Sequence, residues 1–239
     1  RFLVEGPQGV REAVRYAADR VLDVFLTEAA RDRHNGIWEE ARAAGLYVHL
    51  ASERVMAAMS ADSQGVLAVV AMDEAAGPGA LAAALSGAML VVVLTEAQDP
   101  GNAGAIIRAA DAAGADAVVL LRGSVDATSP KVVRSSAGSL FHLPVVTGVT
   151  LDDAVAALRE ADFAVVAADS RGALDLFDAD AVLEGPIAWL LGNEARGLPP
   201  EALSRADAVI SIPVRGRAES LNVAAAAAVC LYATARAQR

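Results

Sequence analysis

Apolar runs and stretches of helical period alternate along the chain, and they do so in two successive passes. In the first pass, residues 2–4, 21–26, 46–50 and 66–71 are short apolar runs, which predicts four strands. Between them, residues 9–18, 37–44 and 53–59 space their apolar positions three to four apart and predict helices, the second closed by Gly45. Strands alternating with helices predict a compact α/β unit over residues 1–73. Residues 74–88 then change character. Gly77, Pro78, Gly79 and Gly87 stand among small residues, so a linker with one short helical turn at 80–85 is expected.

The second pass is stronger. Residues 89–94 form a continuous apolar run, the pattern of a parallel strand buried on both faces. Further strands are predicted over 117–121, 143–146, 163–168, 187–191 and 209–212. Helices are predicted over 103–113, closed by Gly114, over 129–137 with Pro130 in the first turn, and over 151–161, 199–204 and 221–236. Six strands joined by helices predict a parallel α/β sheet over residues 89–239.

Composition narrows the classes. Of 239 residues, 55% are hydrophobic and 21% charged, which excludes a disordered chain. Aromatics are 4%, so the core is expected to be aliphatic. Cys230 is the single cysteine, which excludes an intramolecular disulfide and suits a reducing cytoplasm. It lies in an apolar helix and reads as packing. The apolar stretch 224–235 is shorter than the roughly 20 residues a bilayer demands, so no membrane partner and no signal peptide are expected. The chain opens at Arg1 without methionine, as a piece of a longer protein would.

The net charge of −10 argues against indiscriminate polyanion binding but leaves room for a local basic patch. Lys131 is the only lysine, and arginine suits bidentate phosphate contacts. Arg31, Arg33, Arg122, Lys131, Arg134, Arg215 and Arg217 are the candidate phosphate-binding cations, though each taken singly reads more readily as a solvated surface charge. His34, His49 and His142 are scattered without metal-ligand spacing, so no metal site is expected.

Three loops at expected strand ends are chemically dense, and such ends are where parallel α/β sheets bind ligands. The first reads Glu96-Ala-Gln-Asp99-Pro-Gly-Asn102-Ala-Gly104, with Arg108 two helical turns on. Asn102 is a candidate helix cap and Arg108 a candidate partner of Asp111, or both face a ligand. The second reads Gly192-Asn193-Glu194-Ala-Arg196-Gly197-Leu-Pro199, more polar than an ordinary turn needs. The third reads Pro213-Val-Arg215-Gly-Arg217-Ala-Glu-Ser220-Leu221-Asn222. There Ser220 is a candidate N-cap, and Asn222 in the following first turn suggests a polar contact. No P-loop and no dinucleotide fingerprint is present.

In this order and spacing the loops resemble the three motifs of SpoU/TrmH-type methyltransferases of the SPOUT superfamily. The matching residues are Asn102-Ala-Gly-Ala-Ile-Ile-Arg108, Leu191-Gly-Asn-Glu-Ala-Arg-Gly-Leu198, and Ile212-Pro-Val followed by Ser220-Leu-Asn-Val-Ala224. Ser129-Pro-Lys-Val-Val-Arg-Ser-Ser-Ala-Gly138 and Phe141-His-Leu-Pro144 are also similar to the family. The N-terminal part, opening Phe2-Leu-Val-Glu-Gly6, looks like the ribosomal-protein-like substrate-binding domain of many members.

The resemblance implies an RNA-binding domain over 1–73, a linker over 74–88 and an S-adenosylmethionine (SAM) dependent methyltransferase domain over 89–239. It further implies a SPOUT fold with a C-terminal trefoil knot, a homodimer with active sites near the interface, and transfer to a ribose 2′-OH. Leu191, Gly192, Asn193, Glu194, Gly197, Ile212, Pro213, Ser220, Leu221 and Ala224 would hold the donor. Arg108 would act at the reacting centre, with Asn102, Glu194, Ser220 and Asn222 positioning the groups around it. Arginine stays protonated in proteins, so a phosphate grip and charge stabilisation suit Arg108 better than proton abstraction. Ribosomal RNA is the first expected substrate and transfer RNA the second. Methylation of a ring nitrogen and RNA binding without catalysis are the rival readings.

Overall fold

The computed structural model describes residues 1–72, 76–193 and 196–239. The first unit runs β1 (Phe2–Glu5), α1 (Pro7–Tyr16), β2 (Val21–Leu26), α2 (Glu28–Arg33), α3 (Asn35–Ala43), β3 (Tyr47–Leu50), α4 (Glu53–Met59) and β4 (Val66–Val70). Its sheet has the order β1-β4-β2-β3, with β4 antiparallel to both β1 and β2 and β3 parallel to β2. Helix α2 escapes the hydrophobic pattern because only Ala30 of its six residues is buried. Its start is set by Thr27, whose hydroxyl accepts the Ala30 N–H at 3.2 Å.

The stretch expected to be a linker is largely folded. Helix α5 (Gly77–Leu85) buries Leu81 and Leu85 in the core of the second unit. Its glycines and proline sit at the helix start, where proline is tolerated, and so do not mark a break.

The second unit continues with β5 (Leu90–Leu94), α6 (Pro100–Ala113), β6 (Ala117–Leu121), α7 (Pro130–Ser135), β7 (Val145–Val149), α8 (Leu151–Glu160), β8 (Ala164–Ala168) and β9 (Leu174–Asp175). It ends with α9 (Asp180–Leu183), β10 (Ile187–Leu191), α10 (Pro200–Arg205), β11 (Ala208–Ser211) and α11 (Val223–Ala237). The sheet has seven strands in the order β7-β6-β5-β10-β8-β11-β9, and every pairing is parallel. Strand β9 was not expected from sequence, because two residues present no pattern. The strand expected at 143–146 lies later, at β7.

Strands β5, β6 and β10 are buried along their whole length, as their unbroken apolar runs require. Two aliphatic layers cover the sheet. One contains α6 and α11, and the other α5 and α8. Trp189 is fully buried and donates its indole N–H to Thr234 on α11 at 2.9 Å, which satisfies the one polar atom a buried tryptophan brings. Cys230 is also buried, and that burial pushes its thiol pKa up to about 12, so it serves packing.

The two units pack directly on each other. Val133 and Phe141 of the second unit enter the core of the first, and Phe141 stacks on Phe2 with ring centroids 6.4 Å apart. Arg134 on α7 ion-pairs with Glu5 and with Asp62. His142 lies 3.3 Å from Glu12 on α1 and 2.7 Å from Asp111 on α6.

Candidate active site

The carboxyl ends of β5, β8, β10 and β11 open on one side of the sheet, and β5 is where the strand order turns back on itself. The loops there are stitched together by backbone. Thr95, just after β5, donates both its N–H and its hydroxyl to the carbonyl of Leu191, at 3.0 and 3.2 Å.

Helix α6 begins earlier than its apolar pattern suggests. Asp99 is its cap, accepting the Asn102 N–H at 2.8 Å while Lys131 approaches the other oxygen at 3.4 Å. The Asn102 backbone bond, with help from Lys131, holds the Asp99 carboxyl below its usual range against the opposing effect of burial. Asn102 is therefore inside the first turn rather than at the cap.

The Asn102 side-chain carbonyl oxygen accepts a hydrogen bond from the Asn222 amide at 3.0 Å, joining residues 120 apart in sequence. Asn222 caps α11, its oxygen accepting from Ala224 and Ala225 N–H at 2.9 and 3.3 Å. Those two donors fix which end of the amide is oxygen, so its NH2 must point to Asn102. Ser220, expected as the cap, is displaced from that role by Asn222, and Asn222 lies at the cap rather than within the first turn.

The loop after β10 folds back on itself. Asn193 and Gly197 exchange backbone hydrogen bonds at 3.0 and 2.8 Å. A Cβ on Gly192 would stand 2.3 Å from the Gly197 carbonyl carbon, so glycine is required there by the loop's own closure. The Asn193 amide donates to the Glu96 carbonyl at 3.2 Å, and Arg196 ion-pairs with the Glu96 carboxylate at 2.9 Å. Glu194 lies outside the described residues.

Between these loops lies a cavity of about 180 Å³. Of the residues that the resemblance assigns to the donor, Leu191, Gly192, Asn193, Gly197, Ile212, Ser220 and Leu221 line it, and Pro213 and Ala224 do not. Sequence reading missed Asp169 and Ser170, along with Ile210, Val214, Glu219 and Val223. Asp169 follows β8, another parallel strand end, and that position was the available signal. Arg171 grips the Asp169 carboxylate at 2.9 and 3.0 Å and holds its pKa below the usual range, with burial opposing.

Arg108 is exposed and has no ion-pair partner among the described residues. Asp111, its sequence-level candidate partner, is bonded to His142 instead. The other candidate cations divide into two groups. Arg31 pairs with Asp32, Lys131 with Asp99 and Arg134 with Glu5 and Asp62, while Arg122 donates to the Gly148 carbonyl. Arg33, Arg215 and Arg217 have no ion pair among the described residues. A larger cavity of about 550 Å³ at the junction of the two units is lined by Phe2, Arg20, Met72 and the family-similar segment Phe141–Pro144, and contains no residue of the three strand-end motifs. Among the described residues no group of His, Cys, Asp and Glu could hold a metal, and no helix is long and apolar enough to cross a membrane.

Residues 89–232 match the SpoU rRNA Methylase family, and residues 3–76 match the family described as RNA 2′-O ribose methyltransferase substrate binding. The 23S rRNA (guanosine-2′-O-)-methyltransferase RlmB of Bordetella pertussis is 31% identical over 238 residues, covering 98% of this chain and 96% of the relative. The SpoU methyltransferase AviRb from Streptomyces viridochromogenes superposes with a TM-score of 0.84 at 29% identity, covering 99% of this chain and 89% of that one. An AdoMet-bound rRNA methyltransferase from Sinorhizobium meliloti gives 0.81 at 29% identity, covering 98% and 87%. The capped, cross-linked loops at the strand ends lie within the region matched by that family model, and the chain belongs to the SpoU methylases.

Proposed function

We propose that this protein transfers the methyl group of SAM to a ribose 2′-OH of structured RNA, with ribosomal RNA as the substrate class. The observation that carries this reading is the Asn222–Asn102 hydrogen bond. It ties the first motif to the third beside a cavity that Leu221 and Val223, the neighbours of Asn222, help to line.

The lining of the cavity suits the adenine end of the donor. Leu191, Ile212 and Leu221 offer apolar walls for an adenine, and Asn193 and Ser220 are polar residues of the lining. SAM supplies an electrophilic methyl on a sulfonium. The remaining work falls to the chain. The exposed Arg108 guanidinium grips the phosphate beside the target ribose and stabilises charge that develops on the 2′ oxygen. Asn102, oriented by Asn222, helps to position the ribose, and holding the hydroxyl in line supplies much of the rate. Glu194 and Ser220 belong to the same positioning set.

Residues 1–73 act as the RNA-binding domain and 89–239 as the methyltransferase domain, supported by the two family matches at 3–76 and 89–232. Arg33, Arg215 and Arg217 are the cations best placed to take phosphate, since no carboxylate among the described residues holds them. The chain works in the cytoplasm as a homodimer, for which Tyr232, exposed on α11, offers an aromatic contact. The trefoil knot that the resemblance implies belongs to the same reading, supported by the family match over 89–232.

The test is nucleoside analysis of RNA methylated in vitro with isotope-labelled SAM. Label in a 2′-O-methylnucleoside is expected. Label in a ring-methylated base, or no transfer to any ribosomal RNA, would overturn the reading.

A further inference from the structure

Asp169 is a carboxylate placed in the donor cavity with no part in the three motifs. Its side chain is 7% exposed, and Oδ2 comes within 3.8 Å of where a Gly197 Cβ would stand, so it faces the second motif loop. Its orientation is fixed from behind. The Arg171 backbone N–H and Nε bond Oδ1 at 2.9 Å, and the guanidinium NH2 bonds Oδ2 at 3.0 Å. Arg171 is not a lining residue, and its side chain is 71% exposed. Water therefore screens the positive end of this pair, while the carboxylate itself is nearly buried, where charge acts more strongly. Arg171 also keeps the carboxyl ionised at neutral pH. Among the described lining residues the other charge is Glu219, also acidic but exposed, and none is Lys, Arg or His.

The cavity thus presents a net negative wall. SAM and its product S-adenosylhomocysteine share the adenosine, the ammonium and the carboxylate. They differ by one methyl and one positive charge at sulfur. We infer that Asp169 sets a preference of the cavity for the cationic donor over the neutral-sulfur product, a specificity role that favours exchange of product for donor after each transfer. The inference rests on the reading of this cavity as the SAM site.

Calorimetry on the full chain tests it with three ligands: SAM, S-adenosylhomocysteine, and sinefungin, which has a protonated amine near the sulfonium position. Wild type is expected to bind the two cations about tenfold more tightly than S-adenosylhomocysteine, the scale of one screened charge pair. Asp169→Asn is expected to weaken both cations about tenfold and S-adenosylhomocysteine by less than about threefold. Glu219→Gln removes the same charge from an exposed position and is expected to change the ratio by less than about twofold. Equal wild-type affinity for all three ligands would overturn the inference without any variant. So would an equal loss for all three in Asp169→Asn, the mark of a contact to the shared adenosine. Absence of binding by every ligand would instead refute the SAM reading itself.

Discussion

The donor cavity and the cations around it are built differently. The cavity is framed by loops locked through backbone: Thr95 on Leu191, Asn193 against Gly197, and Asn222 at the head of α11. The cations are side chains on the surface, and most are already held. Lys131 has Asp99, Arg196 has Glu96, and Arg134 spans to Glu5 and Asp62. Arg108 is the exception in the first motif, exposed and unpaired among the described residues. The contrast teaches that a change in the cavity loops disturbs fold and donor together. A change among the cations acts on RNA alone, and strongly only where no carboxylate is already in place.

Arg108→Ala gives the sharpest separation of the two. Transfer is expected to fall by roughly 10²- to 10³-fold, the scale of losing one charge-stabilising donor, with SAM affinity within a few-fold of wild type. Single-turnover rates beside calorimetry read both, and a variant with full turnover would defeat the role.

Gly192→Ala attacks the cavity side. Its methyl has no room beside the Gly197 backbone, so stability should drop by about 1–3 kcal/mol and donor binding with it. Urea denaturation measures the first, and unchanged stability would show that the loop is more pliable than its hydrogen bonds imply.

Asn222→Ala lies between the regions. It removes the α11 cap, at about 1 kcal/mol, and also the bond to Asn102. Asn222→Asp keeps the capping oxygen and loses the donor to Asn102. Transfer should therefore fall in both, while thermal stability falls mainly in the alanine variant.

The smallest effects belong to the outer cations. Arg215→Ala with Arg217→Ala should lower RNA affinity and reduce the log–log salt slope by about one per arginine, leaving SAM binding unchanged. Lys131→Ala should change RNA affinity by less than about threefold, because Asp99 already occupies the ammonium. A larger effect from Lys131 than from the two arginines would reverse the distinction between held and free cations.

Much of this was legible in the sequence, for identifiable reasons. Strands buried on both faces declare themselves as unbroken apolar runs, so β5, β6 and β10 were readable to within a residue. Short or mostly exposed elements do not, which hid α2 and β9. Helix α5 was misread because Gly77, Pro78 and Gly79 look like breakers but occupy its first turn. The motif loops stood out as polar clusters at strand ends. Which residue caps each helix did not, since Asp99 and Asn102, and Ser220 and Asn222, are cap formers only two or three positions apart. Tertiary contacts decide between them. For Arg134 the deciding partner is Glu5, 129 residues away, which no local pattern could reveal.

A crystal structure with S-adenosylhomocysteine soaked in tests the shared donor pocket most directly. The ligand is predicted between the loops after β8, β10 and β11, with its sulfur end open toward the Asn102–Asn222 pair. Ligand bound only in the junction cavity beside Phe2 and Met72, with the motif loops empty, would contradict it.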